Sequence, residues 1–84
     1  MPEIMIGKVS DFFARPVVAE IELTANLKAG DKIRIRGHTT DLEMIVDSMQ
    51  INNVDVKEAK AGDSVGVEVG ERVRNGDAVY KVID

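Results

Sequence analysis

An all-β fold, a sandwich or a barrel, is what this 84-residue sequence predicts, and three observations predict it. Apolar residues recur with period two. No segment longer than about ten residues keeps the 3.6-residue period of a helix. The strand-like runs are short and bounded by Gly-Asp turns. The length fits one domain, residues 1–84, and folding at this size buries roughly 60% of the unfolded surface.

The clearest strand signals are Val17–Leu23 and Ile33–Gly37. Val17, Ala19, Ile21 and Leu23 share one face of the first; Ile33 and Ile35 alternate with Lys32, Arg34 and Arg36 in the second. An antiparallel register with Leu23 opposite Ile33 places Glu22 against Arg34 and Glu20 against Arg36, satisfying the apolar and charged faces together. From Leu42 to Ile51 the apolar phase begins on even positions (Leu42, Met44, Val46) and ends on odd ones (Met49, Ile51). That slip predicts a bulge or sharp bend near Asp47-Ser48. Asn52-Asn53 and Val54–Ala61 read as an irregular connection. Ser64–Val69 is a further strand, whose Gly66 predicts close approach by a neighbouring segment. Ala78–Ile83 closes the domain.

LKAGDKI (27–33), AKAGDSV (59–65) and VRNGDAV (73–79) share the form [KR]-x-G-D-x-[IV]. Each reads as a turn into a strand, with glycine at the position needing positive φ and aspartate bonding nearby backbone N–H groups. The unequal spacings do not describe a repeat architecture.

Composition narrows the function classes. Hydrophobic residues are 44% and aromatics 4%, so the core is aliphatic. The chain contains no cysteine, which excludes disulfides and thiolate metal sites. A net charge of −4 argues against a general nucleic-acid coat while leaving room for a local basic patch. No signal-peptide pattern and no spanning apolar run are visible, so the expected location is the cytoplasm, with no membrane partner.

Candidate functional residues fall into a few groups. Phe12-Phe13-Ala14-Arg15-Pro16 reads either as a loop in which one of two adjacent aromatics stays near the surface beside an arginine, a stacking platform for a base or a partner side chain, or as a strand end that tucks both rings around the barrel rim. Lys32, Arg34 and Arg36 form a basic stripe, either tracking phosphates or paired with Glu20 and Glu22; Lys32 has no matched acid in that register. His38, the only histidine, sits in a predicted loop and lacks the partners of a triad or zinc site. Arg72 and Arg74 read as a solvated turn. Asp41, Glu43, Asp47, Asp55 and Glu58 have no metal-loop spacing and no sign of the burial that acid–base work needs.

Two stretches carry a family resemblance. VVAEIELTANLKAGDKIRIRG resembles two strands around an "IKxGDxVxI" turn, and DSMQINNVDVKEAKAGDSVGV resembles an "SIxxxxxxVxxAxAGDxVGV" pattern; VRNGDAV is similar to a closing "VxRGDVI". These are patterns of the second domain of elongation-factor-Tu-like translational GTPases. The resemblance implies a closed or nearly closed antiparallel β-barrel of six or seven strands. The family's aminoacyl-pocket residues are not matched at Gly7-Lys8-Val9-Ser10, Gln50 or Ser64. The chain has neither a GxxxxGK[ST] loop nor an NKxD motif, for which Asn52-Asn53-Val54-Asp55 is a poor echo. Ile6–Phe13 also resembles the opening of the small β-barrel protein of H/ACA ribonucleoproteins. A looser resemblance is to the β-barrel appended to some peptidase-like RNA-modifying enzymes.

The expectation is therefore a non-enzymatic, translation-factor-like binding module, accessory to RNA or ribosome-associated machinery, with tRNA, rRNA, the ribosome or a protein as partner. The alternative is a protein–protein adaptor docking onto a larger enzyme or factor. Neither cofactor nor metal is expected, and oligomeric state is left open. The candidate contact residues are Phe12, Phe13, Arg15, Lys32, Arg36 and His38.

Overall fold

Two consecutive inward-facing residues, Ile6 and Gly7, cannot belong to one regular strand, because the side-chain period is two. The computed structural model, which describes residues 2–14 and 17–83, resolves the conflict with a bulge. The first strand, β1 (Glu3–Ala14), pairs with the last, and the register shifts between Met5 and Gly7, so Ile6 turns into the core. A second shift lies between Val9 and Asp11 in the pairing with β2 (Val17–Leu23). Two bulges let a twelve-residue strand curl around the core.

The remaining strands are β3 (Leu27–Lys28), β4 (Lys32–Arg36), β5 (Asp41–Ile45), β6 (Met49–Ile51), β7 (Val54–Val56), β8 (Glu58–Ala59), β9 (Ser64–Glu68) and β10 (Ala78–Val82). Eight form one antiparallel sheet in the order β5-β4-β10-β1-β2-β9-β6-β7, and β3 pairs with β8 separately. There is no helix among the described residues, hence none long and apolar enough to cross a membrane. The all-β antiparallel expectation holds. The expected barrel of six or seven strands does not: there are ten strands, and the end strands β5 and β7 are not paired with each other among the described residues.

Ile6, Ile21, Leu23, Ile33, Ile35 and Val65 lead a core of aliphatic side chains, each at most 2% exposed. Phe12 packs against it from the rim. The expected hairpin of Val17–Leu23 with Ile33–Gly37 is corrected. β2 lies between β1 and β9, and β4 lies between β10 and β5. Near Asp47-Ser48 the chain does bend: β5 pairs with β4, whereas β6 pairs with β9 and β7. The stretch from Asn52 is not irregular at its start. Asn52 and Asn53 have φ of 52° and 64° and close a two-residue β6–β7 hairpin, the left-handed pair that such turns require.

The three Gly-Asp turns share one construction. In each, the aspartate side chain accepts the N–H of the residue three back: Lys28 to Asp31, Lys60 to Asp63 and Arg74 to Asp77, all at 2.9 Å. Gly30, Gly62 and Gly76 hold φ of 96°, 94° and 89°. Each turn then grips one buried residue from another part of the chain. The Gly30 N–H donates to the Val46 carbonyl, and the Val46 N–H donates to Asp31. Gly62 and Asp63 hold Leu23 in the same way, and Gly76 and Asp77 hold Val9. Asp77 differs in being 5% exposed. Its carboxylate occupies the space that a Gly37 side chain would need. Asp77→Ala should cost about 1–3 kcal/mol because it strands a part-buried N–H, and Asp31→Ala or Asp63→Ala only about 0.5–1.5 kcal/mol. Urea unfolding of the three variants measures the order.

Candidate functional site

Strand β4 presents Lys32, Arg34 and Arg36 on one face, between acids from β5 on one side and from β1 across β10 on the other. Lys32 meets Glu43 at 3.1 Å. Arg34 meets Glu43 at 2.7 Å, Glu3 at 3.2 Å and Asp41 at 3.7 Å. Arg36 meets Glu3 at 3.3 Å, and its guanidinium lies 5.9 Å from the Tyr80 ring centroid. The stripe is thus ion-paired, as one of the two sequence readings had it, but with other acids than Glu20 and Glu22. Lys32, expected to be free, is engaged. The physical reason is the strand order, which keeps β2 away from β4.

The Lys32 hydrogen bond, aided by the charges of Lys32 and Arg34, holds the Glu43 carboxyl below the ordinary glutamate range. A carboxyl depressed in the fold stabilises the protein above the unfolded-state value, and this contribution is lost as pH falls through the folded value. In Glu43→Gln the acid limb of the stability curve, below the ordinary glutamate value of 4.5, should be shallower than in the parent. The pair is exposed and salt-screened, so the difference should shrink in concentrated NaCl.

The other predicted residues lie elsewhere. Phe12 and Phe13 sit on β1 rather than in a loop. Phe12 is half-buried with the Arg72 guanidinium 6.0 Å from its centroid, while Phe13 points outward, 49% exposed. Arg72, read from sequence as a solvated turn, also lines a shallow groove with Thr39–Leu42. His38 is exposed between β4 and β5. Arg15 lies outside the described residues. The six residues therefore do not form one constellation: Lys32 and Arg36 belong to the ion-paired face, and Phe13 to a different one.

That second face is formed by β1, β2, β9, β6 and β7. Register places Asp11, Glu20, Gly66, Gln50 and Asp55 in one row across the five strands, with Phe13, Val18 and Glu68 in the next. At its centre is a groove of 490 Å³, within the lower range of ligand sites. Phe13 and Val18 form one wall and the Asn52-Asn53 turn the other. Gly66 is the floor, where a Cβ would come within 3.3 Å of Val18 Cγ1 and 3.6 Å of Glu20 Oε2. The close approach expected at this glycine comes mainly from side chains of β2, with the Gln50 carbonyl oxygen of β6 at 3.9 Å from the same Cβ position. Glu20 Oε1 accepts from the Ser64 hydroxyl at 2.7 Å, and the Gln50 amide donates to Asp55 at 2.9 Å. Sequence reading missed the groove. Its one visible signal was glycine at position 66 opposite a polar, amide-bearing segment.

The architecture defines a small antiparallel β-module with open grooves; among the described residues no three His, Asp or Glu side chains gather as metal ligands. It shares the fold of the C-terminal domain of a putative U32 peptidase from Geobacillus thermoleovorans, with a TM-score of 0.87 over 94% of this chain and 92% of that one, at 12% identity. In sequence it is 52% identical over 93% of its length to a protein of Methanocaldococcus jannaschii named as an uncharacterized protease. It is also 33% identical over 94% of its length to a Porphyromonas gingivalis protein named collagenase. The chain spans 19% and 20% of those two relatives. No family model matches.

These likenesses overturn the resemblance to the second domain of translational GTPases, and with it the translation-factor-like, RNA-accessory function. The physical cause of the misreading is local. The matched patterns centre on Gly-Asp turns, and the same turn occurs three times here as a clip on buried residues. Matching it reports a turn geometry, not a shared partner. Of the three resemblances, only the peptidase-like element of the loosest agrees with the relatives found.

Proposed function

We propose that this chain is a non-catalytic accessory domain of a peptidase system, helping to hold polypeptide substrates rather than cutting them. The observation that carries the reading is the 52% identity to a stretch amounting to only 19% of a protease-named relative. Such a match fits a module attached to a larger machine. The side-chain inventory supports the non-catalytic part. The chain has no cysteine and one histidine, that histidine is exposed in a loop, and Ser10 and Ser64 spend their hydroxyls on Glu20. A nucleophile needs an adjacent base to be activated. The reading takes residues 1–84 as one unit around one aliphatic core.

The test uses labelled gelatin, a short dye-linked peptide, and the archaeal relative lacking its homologous stretch. The chain alone should release no label. Added to the truncated relative, it should raise gelatin cleavage several-fold while leaving short-peptide cleavage unchanged. Cleavage by the chain alone would overturn the non-catalytic reading; no effect on either substrate would overturn the accessory one.

A further inference from the structure

We propose that the groove over Gly66 binds an extended polypeptide segment bearing lysine or arginine. The inference deepens the accessory-domain reading and rests on it for the class of ligand. Three features of the groove carry it.

The first is shape. Gly66 adds no side chain to its row, and the low floor it leaves lies between an exposed aromatic wall and the Asn52-Asn53 turn. Phe13 at 49% exposed is a large apolar surface beside a concavity. A buried aromatic anchor is the usual centre of a protein-recognition site. With no Cβ on Gly66, a peptide main chain can pass low over the floor; an added Cβ would stand 3.3 Å from Val18 Cγ1 and take up part of that space.

The second is hydrogen-bonding type. Gln50, Asn52 and Asn53 supply primary amides at the other wall. An amide offers a donor and an acceptor together, matching a peptide unit, which presents the same two groups. Asn52 and Asn53 are exposed at a turn whose backbone is left-handed, with φ of 52° and 64°. Their side chains are therefore presented from a two-residue turn closed by the Ile51–Val54 pair.

The third is charge, which selects the occupant. Along the paired rows of this face lie Asp11, Glu20, Glu22, Asp55 and Glu68, with Lys8 the one cation among those row positions. Among the described residues no lysine or arginine lines the groove. The opposite situation holds on β4, where the cations are met by carboxylates. Much of the chain's net charge of −4 is thus expressed on the grooved face. Glu20 keeps Oε2 toward the Gly66 floor while Oε1 is held by Ser64. That orientation suits an ammonium or guanidinium group on a segment lying across the floor.

The test is a titration of the isotope-labelled chain with a synthetic Lys-Pro-Leu repeat peptide, followed by amide spectra. A matched Glu-Pro-Leu peptide and the chain diluted alone serve as comparisons. Saturable shifts are expected at Phe13, Gly66 and the side-chain amides of Gln50, Asn52 and Asn53. Phe13→Ser and Glu20→Gln should each weaken binding by about five-fold or more. Both positions can change without opening the core, and the amide spectrum reports whether each variant remains folded. Gly66→Ala should keep stability and lose binding. Shifts on another face, equal shifts with the glutamate peptide, or no saturable shift at millimolar lysine peptide would overturn the proposal. Dilution-dependent shifts at the same residues would assign the groove to a second copy of the chain and also overturn it. The titration uses the chain alone, so its failure leaves the cleavage test of the accessory reading intact, and the converse holds.

Discussion

Ile21→Ala should lower stability by roughly 2–5 kcal/mol, the range for emptying a buried aliphatic site. Ile21 is 0% exposed on β2, which is hydrogen-bonded on both sides, to β1 and β9. Strands held on both edges collapse poorly around a void, which favours the upper part of that range. A chain of this length carries a total of about 4–13 kcal/mol, so the loss is a large fraction of the whole. Near the melting point each kcal/mol corresponds to about 4–8 °C in a domain of this size. Thermal melts of the variant should therefore show a shift of tens of degrees or a chain unfolded at room temperature. Ile21→Val, which removes one methylene, should cost only about 0.5–1.5 kcal/mol. A small loss in the alanine variant would mean that the sheet closes around the void, and that the core is looser than its burial indicates.

Gly7→Ala is expected to cost about 1–3 kcal/mol through overpacking, although alanine is the smallest change available. A Cβ at this position would overlap the Glu22 carbonyl oxygen and come within 3.2 Å of Ile21 Cγ2. The carbonyl belongs to the paired backbone of β2, opposite Lys8 in the register, and cannot rotate away as a side-chain tip would. The chain must shift at the bulge that turns Ile6 inward. Gly66→Ala is the contrast. Its neighbours are the ends of Val18 and Glu20 at 3.3 and 3.6 Å, which can move, so the same substitution should change stability by under about 0.5 kcal/mol. Urea unfolding of both variants distinguishes the two glycines: one required by the fold, the other free to serve the groove.

The two charged faces show how little net charge alone says about partners. Net charge states a sum, whereas binding depends on which charges are already met. The basic stripe of Lys32, Arg34 and Arg36 drew attention to phosphate, and the structure meets it with Glu3, Asp41 and Glu43. In the sequence the acids of the grooved face do not read as one surface: Glu20 and Glu22 are assigned to the basic stripe and Asp55 is considered apart from them, because they are scattered along the chain from Asp11 to Glu68. Antiparallel pairing across five strands gathers them into adjacent rows.

By itself the sequence determined which way most residues point. Alternation put Ala19, Ile21, Leu23, Ile33 and Ile35 inside, the phase slip after Val46 located the bend, and three Gly-Asp pairs marked three turns of one construction. These are local properties, set by the two-residue period and by the φ that glycine tolerates. Only the tertiary structure decided which strand lies beside which. Glu22 facing Arg34 satisfied every local rule, yet β1 and β10 separate β2 from β4, because any strand with the right alternation can satisfy a neighbour's pattern. The length of β1 was hidden for a related reason: its two bulges break the period by which a strand is recognised. The groove belongs to the same class. Phe13, Gly66 and the Asn52-Asn53 turn lie far apart along the chain, and only pairing through β2, β9 and β6 makes them one surface.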